Sequence, residues 1–274
     1  MRLPSHLSVL MALLGLSLVG RADELTDKGR AVFKQHQRAV VTVQVVQKIS
    51  AGGTSESRET KQDITGTVMD PSGLTVLALS SADVGEMYKR MYPAAKVETE
   101  VSDLKILLDD GAEIPAEIVL RDKDLDLAFI RPKSRPASPM AAVDFSKTAK
   151  VDVLDQVITL NRLGRAAGRA YSASVEHISA VVLKPRTFYI PDSAMTATTS
   201  GSPAFALDGN LVGLFVMRAT SVGGGGNNSR SDNVTSIILP AEDVLKAASQ
   251  APEAKAAEPK KETAPETKAE PEKK

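Results

Sequence analysis

Apolar residues first run together from Leu7 to Val19, then fall into helical spacing, and from Ala39 onward gather into short strand-like segments. Leu25 to Arg38 predicts an amphipathic helix whose apolar side is Leu25, Ala31, Val32 and Phe33. Valine-rich Ala39–Gln47, alternating Thr65–Met69 and apolar Leu74–Leu79 predict strands, the last two joined by the turn Asp70-Pro71-Ser72-Gly73. Leu104–Leu108, Ile114–Leu120 and Leu127–Arg131 continue the series. The Pro-rich stretch from Pro132 to Pro139 then breaks the pattern and opens a linker reaching about residue 149. Beyond it, Leu154–Asn161, Ser172–Leu183, Ala204–Ala206 and Asn210–Arg218 read as strands, with Asp208-Gly209 turning the chain between the last two. A glycine-rich loop, Gly223–Gly226, precedes the strand Val234–Leu239, and Pro240 opens a helix through Ala248. Many short strands in two halves, about 39–131 and 150–240, predict an all-β barrel or sandwich architecture.

The two ends fall outside this pattern. Arg2, the apolar run and the small residues of Gly20-Arg21-Ala22 together have the form of a secretory signal peptide over residues 1–22, cut after Ala22. The run is shorter than the roughly 20 residues a spanning helix needs, so an uncleaved anchor is the lesser alternative. The expected location is therefore periplasmic or extracellular. From Ala251 to Lys274 almost every residue is Ala, Pro, Glu, Lys or Thr. Such a segment buries too little apolar surface to offset its ordering entropy, and a disordered, solubilising tail is expected.

Composition removes several function classes. With no cysteine, no disulfide staples the domain at 23–250, and no thiolate serves as nucleophile or metal ligand. The 34 basic and 34 acidic side chains cancel without a basic stripe, which leaves a nucleic-acid partner no electrostatic support. No tryptophan is present to stack a carbohydrate, and neither His nor Cys clusters. No metal and no cofactor are expected.

Four segments, in order, resemble the protease domain of trypsin-like serine proteases of the HtrA/Deg type. They are the hairpin from Thr65 to Leu74; the Asp110-Gly111 hairpin running on to Asp126-Leu127-Ala128-Phe129-Ile130; Thr198-Thr199-Ser200-Gly201-Ser202-Pro203 with Leu211-Val212-Gly213-Leu214; and the closing strand and helix from Val234. The resemblance covers about Arg30 to Gln250 and implies a double β-barrel with its active site in the cleft between barrels. It also implies Ser200 as nucleophile, Asp126 as the residue that orients a base, and the N–H groups of Thr198 and Ser200 as an oxyanion hole. Such chemistry needs an imidazole between the serine and the aspartate, because a serine hydroxyl is a weak nucleophile until a base takes its proton.

The chain departs from the family at that point. Counted from the Asp-Pro-x-Gly turn, the family's histidine falls on Ser80, or on Ser81 if one residue slips. Of the three histidines, His6 leaves with the signal segment, His36 belongs to the first helix and His177 to a strand of the second half. Thr198 and Ser202 stand where the family has glycines, and β-branched Thr198 is expected to meet the oxyanion-hole geometry only with strain. The leading expectation is a pseudoenzyme that binds a peptide or a partner protein of the cell envelope. One alternative is an active serine endopeptidase with an unorthodox base such as Lys89, which Arg90 follows. The other is an envelope scaffold acting through its charged tail. The loop Gly223–Ser229 lacks the lysine and following helix of a phosphate-binding loop and reads as a flexible loop near the specificity pocket. The family often carries a PDZ domain after the protease domain, and nothing after Ala251 has the composition of one.

Overall fold

The computed structural model describes residues 24–51, 57–85, 88, 97–194, 196, 198–219 and 234–253. The leading segment 1–22, nearly all of the tail, the Gly223–Ser229 loop, Lys89 and Arg90 lie outside the described residues. Helix α1 (24–36) leads into a first closed barrel of β1 (Val40–Ala51), β2 (Ser57–Val68), β3 (Thr75–Ala78), β4 (Val97–Leu107), β5 (Glu113–Asp122) and β6 (Leu127–Pro132). A helical turn, α2 (Leu79–Ala82), follows β3. The second barrel closes β7 (Gln156–Arg162), β8 (Tyr171–Val182), β9 (Phe188–Pro191), β10 (Pro203–Ala206), β11 (Leu211–Ala219) and β12 (Val234–Pro240), and α3 (Ala241–Ala248) ends the domain. The fold is thus the trypsin-like double barrel, all-β apart from its flanking helices. Among the described residues no helix is long and apolar enough to cross a membrane.

The near-continuous apolar runs in the sequence have a direct cause. Side chains alternate between the two faces of a strand. In β3 and β6 both faces are buried: Leu77, Ala128 and Ile130 point into the first barrel, while Val76, Leu127 and Phe129 join the core between barrels. That second core also takes Leu160, Leu214 and Val216 from the other barrel and Val244 from α3. The interior of the second barrel is filled by Val157, Ile178, Phe215 and Ile238. The segment after Pro132 is bonded to both barrels: Val143 N–H donates to Val68, and Leu211 N–H donates back to Lys147. Phe145 is buried between them.

Several elements differ from the sequence expectation. On α1, Ala31 is exposed while Gly29 faces Ile158 of β7, so the buried side turns toward Gly29, Val32 and Phe33. Strands β2 and β4 begin at Ser57 and Val97, far upstream of the apolar positions, because β1 offers them a backbone template out to Ser50 and Ala51. Such pairing needs no apolar side chains. Leu79 leaves the strand to start α2. Leu154 is exposed with φ 72°, and β7 starts two residues later. Four-residue β9 was too short to read from pattern.

Polar clasps add to the apolar contact between barrels. Arg162 lies over the Tyr171 ring at 3.9 Å and donates to Asp109 at 2.8 Å, and the Tyr171 hydroxyl donates to the same carboxylate. Burial first, then that hydrogen bond, pushes the Tyr171 hydroxyl above its ordinary pKa. Asp63 of β2, with its side chain 7% exposed, receives Arg165 through two bonds of 3.0 and 3.1 Å and Arg169 at 2.7 Å. Burial alone would raise Asp63, but hydrogen bonds from Arg165, Arg169 and Gln44 outweigh it and hold the carboxyl at about 2. The folded state therefore favours the ionised form. This clasp stabilises fully above the ordinary aspartate value of 3.8, and its contribution is lost as pH falls from there through about 2. Urea midpoints of wild type and Asp63→Asn should differ most above pH 5 and converge toward pH 2.

Candidate functional site

The site is organised by Asp126, which the turn between β5 and β6 delivers. Asp122 shapes that turn by accepting the N–H groups of Asp124 and Leu125, each at 3.0 Å. Asp126 itself has φ 59°, a left-handed conformation that aspartate tolerates better than most residues. Its backbone carbonyl takes the Leu79 N–H at 2.8 Å, which lays α2 across it. Its carboxylate is 2% exposed and accepts the Ser80 N–H at 2.8 Å, the Ser80 hydroxyl at 2.8 Å and the Met217 N–H at 3.0 Å. A buried carboxylate is tolerable only with such charge-assisted donors. Two of these donors come from the first barrel and one from the second.

The segment carrying Ser80 and Ser81 is held from its other side by the polar extension of β1, β2 and β4. Buried Gln47 donates to the Ala82 carbonyl at 3.0 Å and accepts the Val84 N–H at 3.2 Å. Gln62 donates to the Ser81 carbonyl at 2.6 Å, and Thr99 to Asp83 at 2.6 Å. With its backbone fixed, α2 turns Ser80 onto Asp126, whereas the Ser81 hydroxyl donates to the Ser200 hydroxyl at 2.8 Å. Both sequence candidates for the histidine place thus reach the site, one on each side. Neither hydroxyl is a base at neutral pH, and among the described residues no imidazole stands between Asp126 and Ser200.

Ser200 is also 2% exposed and sits in a turn written by threonines. The Thr199 N–H donates to the Thr196 hydroxyl at 3.2 Å, and the Thr196 N–H donates to the Thr199 hydroxyl at 2.7 Å. This reciprocal pair has the logic of a helix capping box, with Thr in both places. It winds the chain so that the Thr199 and Ser200 N–H groups both donate to the Thr196 carbonyl, each at 3.2 Å. The Ser200 N–H, which the family resemblance assigns to an oxyanion hole, donates within the turn to the Thr196 carbonyl.

First-barrel side chains lock this turn in place. Thr65 donates to the Thr198 carbonyl at 2.7 Å and Thr67 to the Gly201 carbonyl at 3.0 Å, while Ser202 adds a 3.3 Å bond to Thr198. Gly201, at φ 86°, comes so near β2 that a Cβ there would lie 2.5 Å from the Thr65 carbonyl. Of the remaining histidines, His36 stacks on Phe205 at 4.3 Å and burial lowers its pKa, while exposed His177 bonds Asp192 and Gln156, each at 3.2 Å. His6 and Lys89 lie outside the described residues.

Sequence reading missed Gln47, Gln62 and Met217, whose roles rest on long-range placement. It also missed Thr196 and Thr199, although T-x-x-T before the serine carried a capping signal.

A family model described as trypsin-like peptidase domain matches residues 64–214, more than half of the 274-residue chain. Protease Do-like 14 of Arabidopsis thaliana is 26% identical over 179 residues, which is 63% of this chain and 39% of that protein. The chain therefore spans about two fifths of that relative's length. The crystal structure of the MamO protease domain from Magnetospirillum magneticum, in its apo form, matches with a TM-score of 0.51 and 16% identity. That match covers 78% of this chain and 97% of the other. At that identity the likeness is one of fold. These matches agree with the HtrA-type character of the four sequence segments.

The threonine turn makes a direct prediction. Thr196→Ala removes the cap and should cost about 1 kcal/mol of local stability, speeding hydrogen exchange at the Ser200 amide about fivefold. Exchange followed by NMR or mass spectrometry checks this, and an unchanged rate would mean that the cap does not hold the turn.

Proposed function

Because the chain belongs to the family of trypsin-like peptidase domains, we propose that it is a member without proteolytic turnover, exported to the periplasm or outside the cell, that holds a peptide or partner segment in its cleft. The observation that carries this reading is the division of the histidine place between two hydroxyls. Ser80 satisfies Asp126, Ser81 meets Ser200, and among the described residues no imidazole connects them. Loss of the base alone lowers turnover by about 10⁶ in serine hydrolases of this logic. The occupied Ser200 N–H removes a second element, since an oxyanion donor typically contributes about 10²–10³.

Binding survives what removes catalysis. Along β11, the Phe215 N–H and carbonyl bond Ser202 and Gly201 on the cleft side, and the Met217 N–H continues on that side to Asp126. Backbone groups alternate in direction along a strand, so the Met217 carbonyl faces the same edge. Such an edge recognises an extended peptide by strand addition, which needs no nucleophile. The form of the leading segment supports export.

Purified protein should leave unfolded casein intact and should not be labelled by a serine-directed fluorophosphonate. Cleavage or labelling that disappears in Ser200→Ala would overturn the inactive reading.

A further inference from the structure

Beside Asp126 lies a cavity of about 240 Å³ that the serine turn does not line. Its walls include Asp124 and Leu125 from the turn that delivers Asp126, Met217 and Arg218 from β11, and Arg186 from the segment before β9. We propose that this cavity takes the carboxylate side chain of a peptide laid along β11, so that the segment held in the cleft is an acidic one. The inference rests on the cleft-binding reading and adds the chemistry of what is bound.

Two features of the cations carry it. Arg131, Arg162, Arg165 and Arg169 each pair with a carboxylate, whereas among the described residues neither Arg186 nor Arg218 does. Arg218 is also held in place without using its donors. Its guanidinium lies over the Phe188 ring, 4.9 Å from the ring centre. Attraction to a ring uses the charge of the group rather than its N–H donors, and the spacing of that N–H fork matches a carboxylate. An arginine fixed in this way loses less rotamer freedom when an anion arrives.

The surroundings set the sign and strength. Among the described residues Asp124 is the one carboxylate in the wall, so the two guanidinium groups leave the wall one positive charge in excess, while the adjacent Asp126 carboxylate is engaged by Ser80 and Met217. Leu125, Pro185 and Met217 supply apolar wall beside the charges, which lowers the local dielectric and strengthens a charge-assisted bond there. The position fits a strand-like ligand. Met217 lines the cavity, and its own N–H reaches Asp126, so a side chain projecting from a peptide on this edge enters beside the residue that organises the site.

The test is fluorescence anisotropy on the full chain, with short extended peptides in which each position in turn is Asp, Glu, Asn, Gln, Ala or Lys. One position should favour Asp or Glu over its amide by about tenfold, the scale of one hydrogen bond to a charged group. The preference should weaken as salt rises. Arg186→Glu and Arg218→Glu should abolish it or reverse it toward Lys. Arg186 is exposed, so its variant tests the idea without touching the core, and thermal melts of both variants report folding. An acidic preference unchanged in both variants would overturn the inference. Peptide binding without charge preference would also overturn it while leaving the cleft-binding reading standing. Binding of no peptide in the set would remove that reading as well.

Discussion

A carboxylate taken out of water must find donors, and at Asp126 this requirement shapes everything around it. The side chain is nearly fully buried, and its donors come from Ser80 on one barrel and Met217 on the other. Its backbone carbonyl positions α2, and its left-handed conformation aims the carboxylate inward. A charge left unpaired there would cost several kcal/mol, so the two barrels and α2 are bound to one relative arrangement. In a working serine protease the same carboxylate spends a bond on an imidazole. Here the Ser80 hydroxyl accepts that role, and the carboxylate stays satisfied without the catalytic base.

That substitution explains how the architecture can persist without an imidazole at this place. Threonines do the equivalent at the serine turn: Thr196 and Thr199 close it, and Thr65 and Thr67 fasten it to the first barrel. Donors and acceptors that a substrate would engage are engaged by the protein itself. The turn is consequently a structural joint between barrels, and Ser200 lies inside that joint, bonded to Ser81. The cavity beside β11 is lined by none of the serine-turn residues.

Much of the fold was legible because the physics behind it is local. Asp70-Pro71-Ser72-Gly73 and Asp208-Gly209 carry their turn chemistry in their own residues, and the doubly buried β3 and β6 announce themselves as apolar runs. The elements read poorly were those whose partner supplies the reason. The outer parts of β2 and β4 are polar and exist because β1 extends past the barrel. Ala31 faces solvent and Gly29 the second barrel, because Ile158 of β7 packs close to α1 at the glycine.

By itself the sequence determined the order of turns and strands, the absence of a histidine at the expected place, and the loss of two glycines near Ser200. Those properties depend on residue type and short spacing, which the chain carries without folding. Only the tertiary structure decided that Ser80 and Ser81 divide the empty place between Asp126 and Ser200, since that depends on Gln47 and Gln62 holding α2 from the other side. It also decided what holds Thr198, whose carbonyl accepts the Thr65 and Ser202 hydroxyls. A side chain's own preference can be read locally, whereas the partner that satisfies it can come from far along the chain, as Thr65 does for Thr198 at a separation of 133 residues.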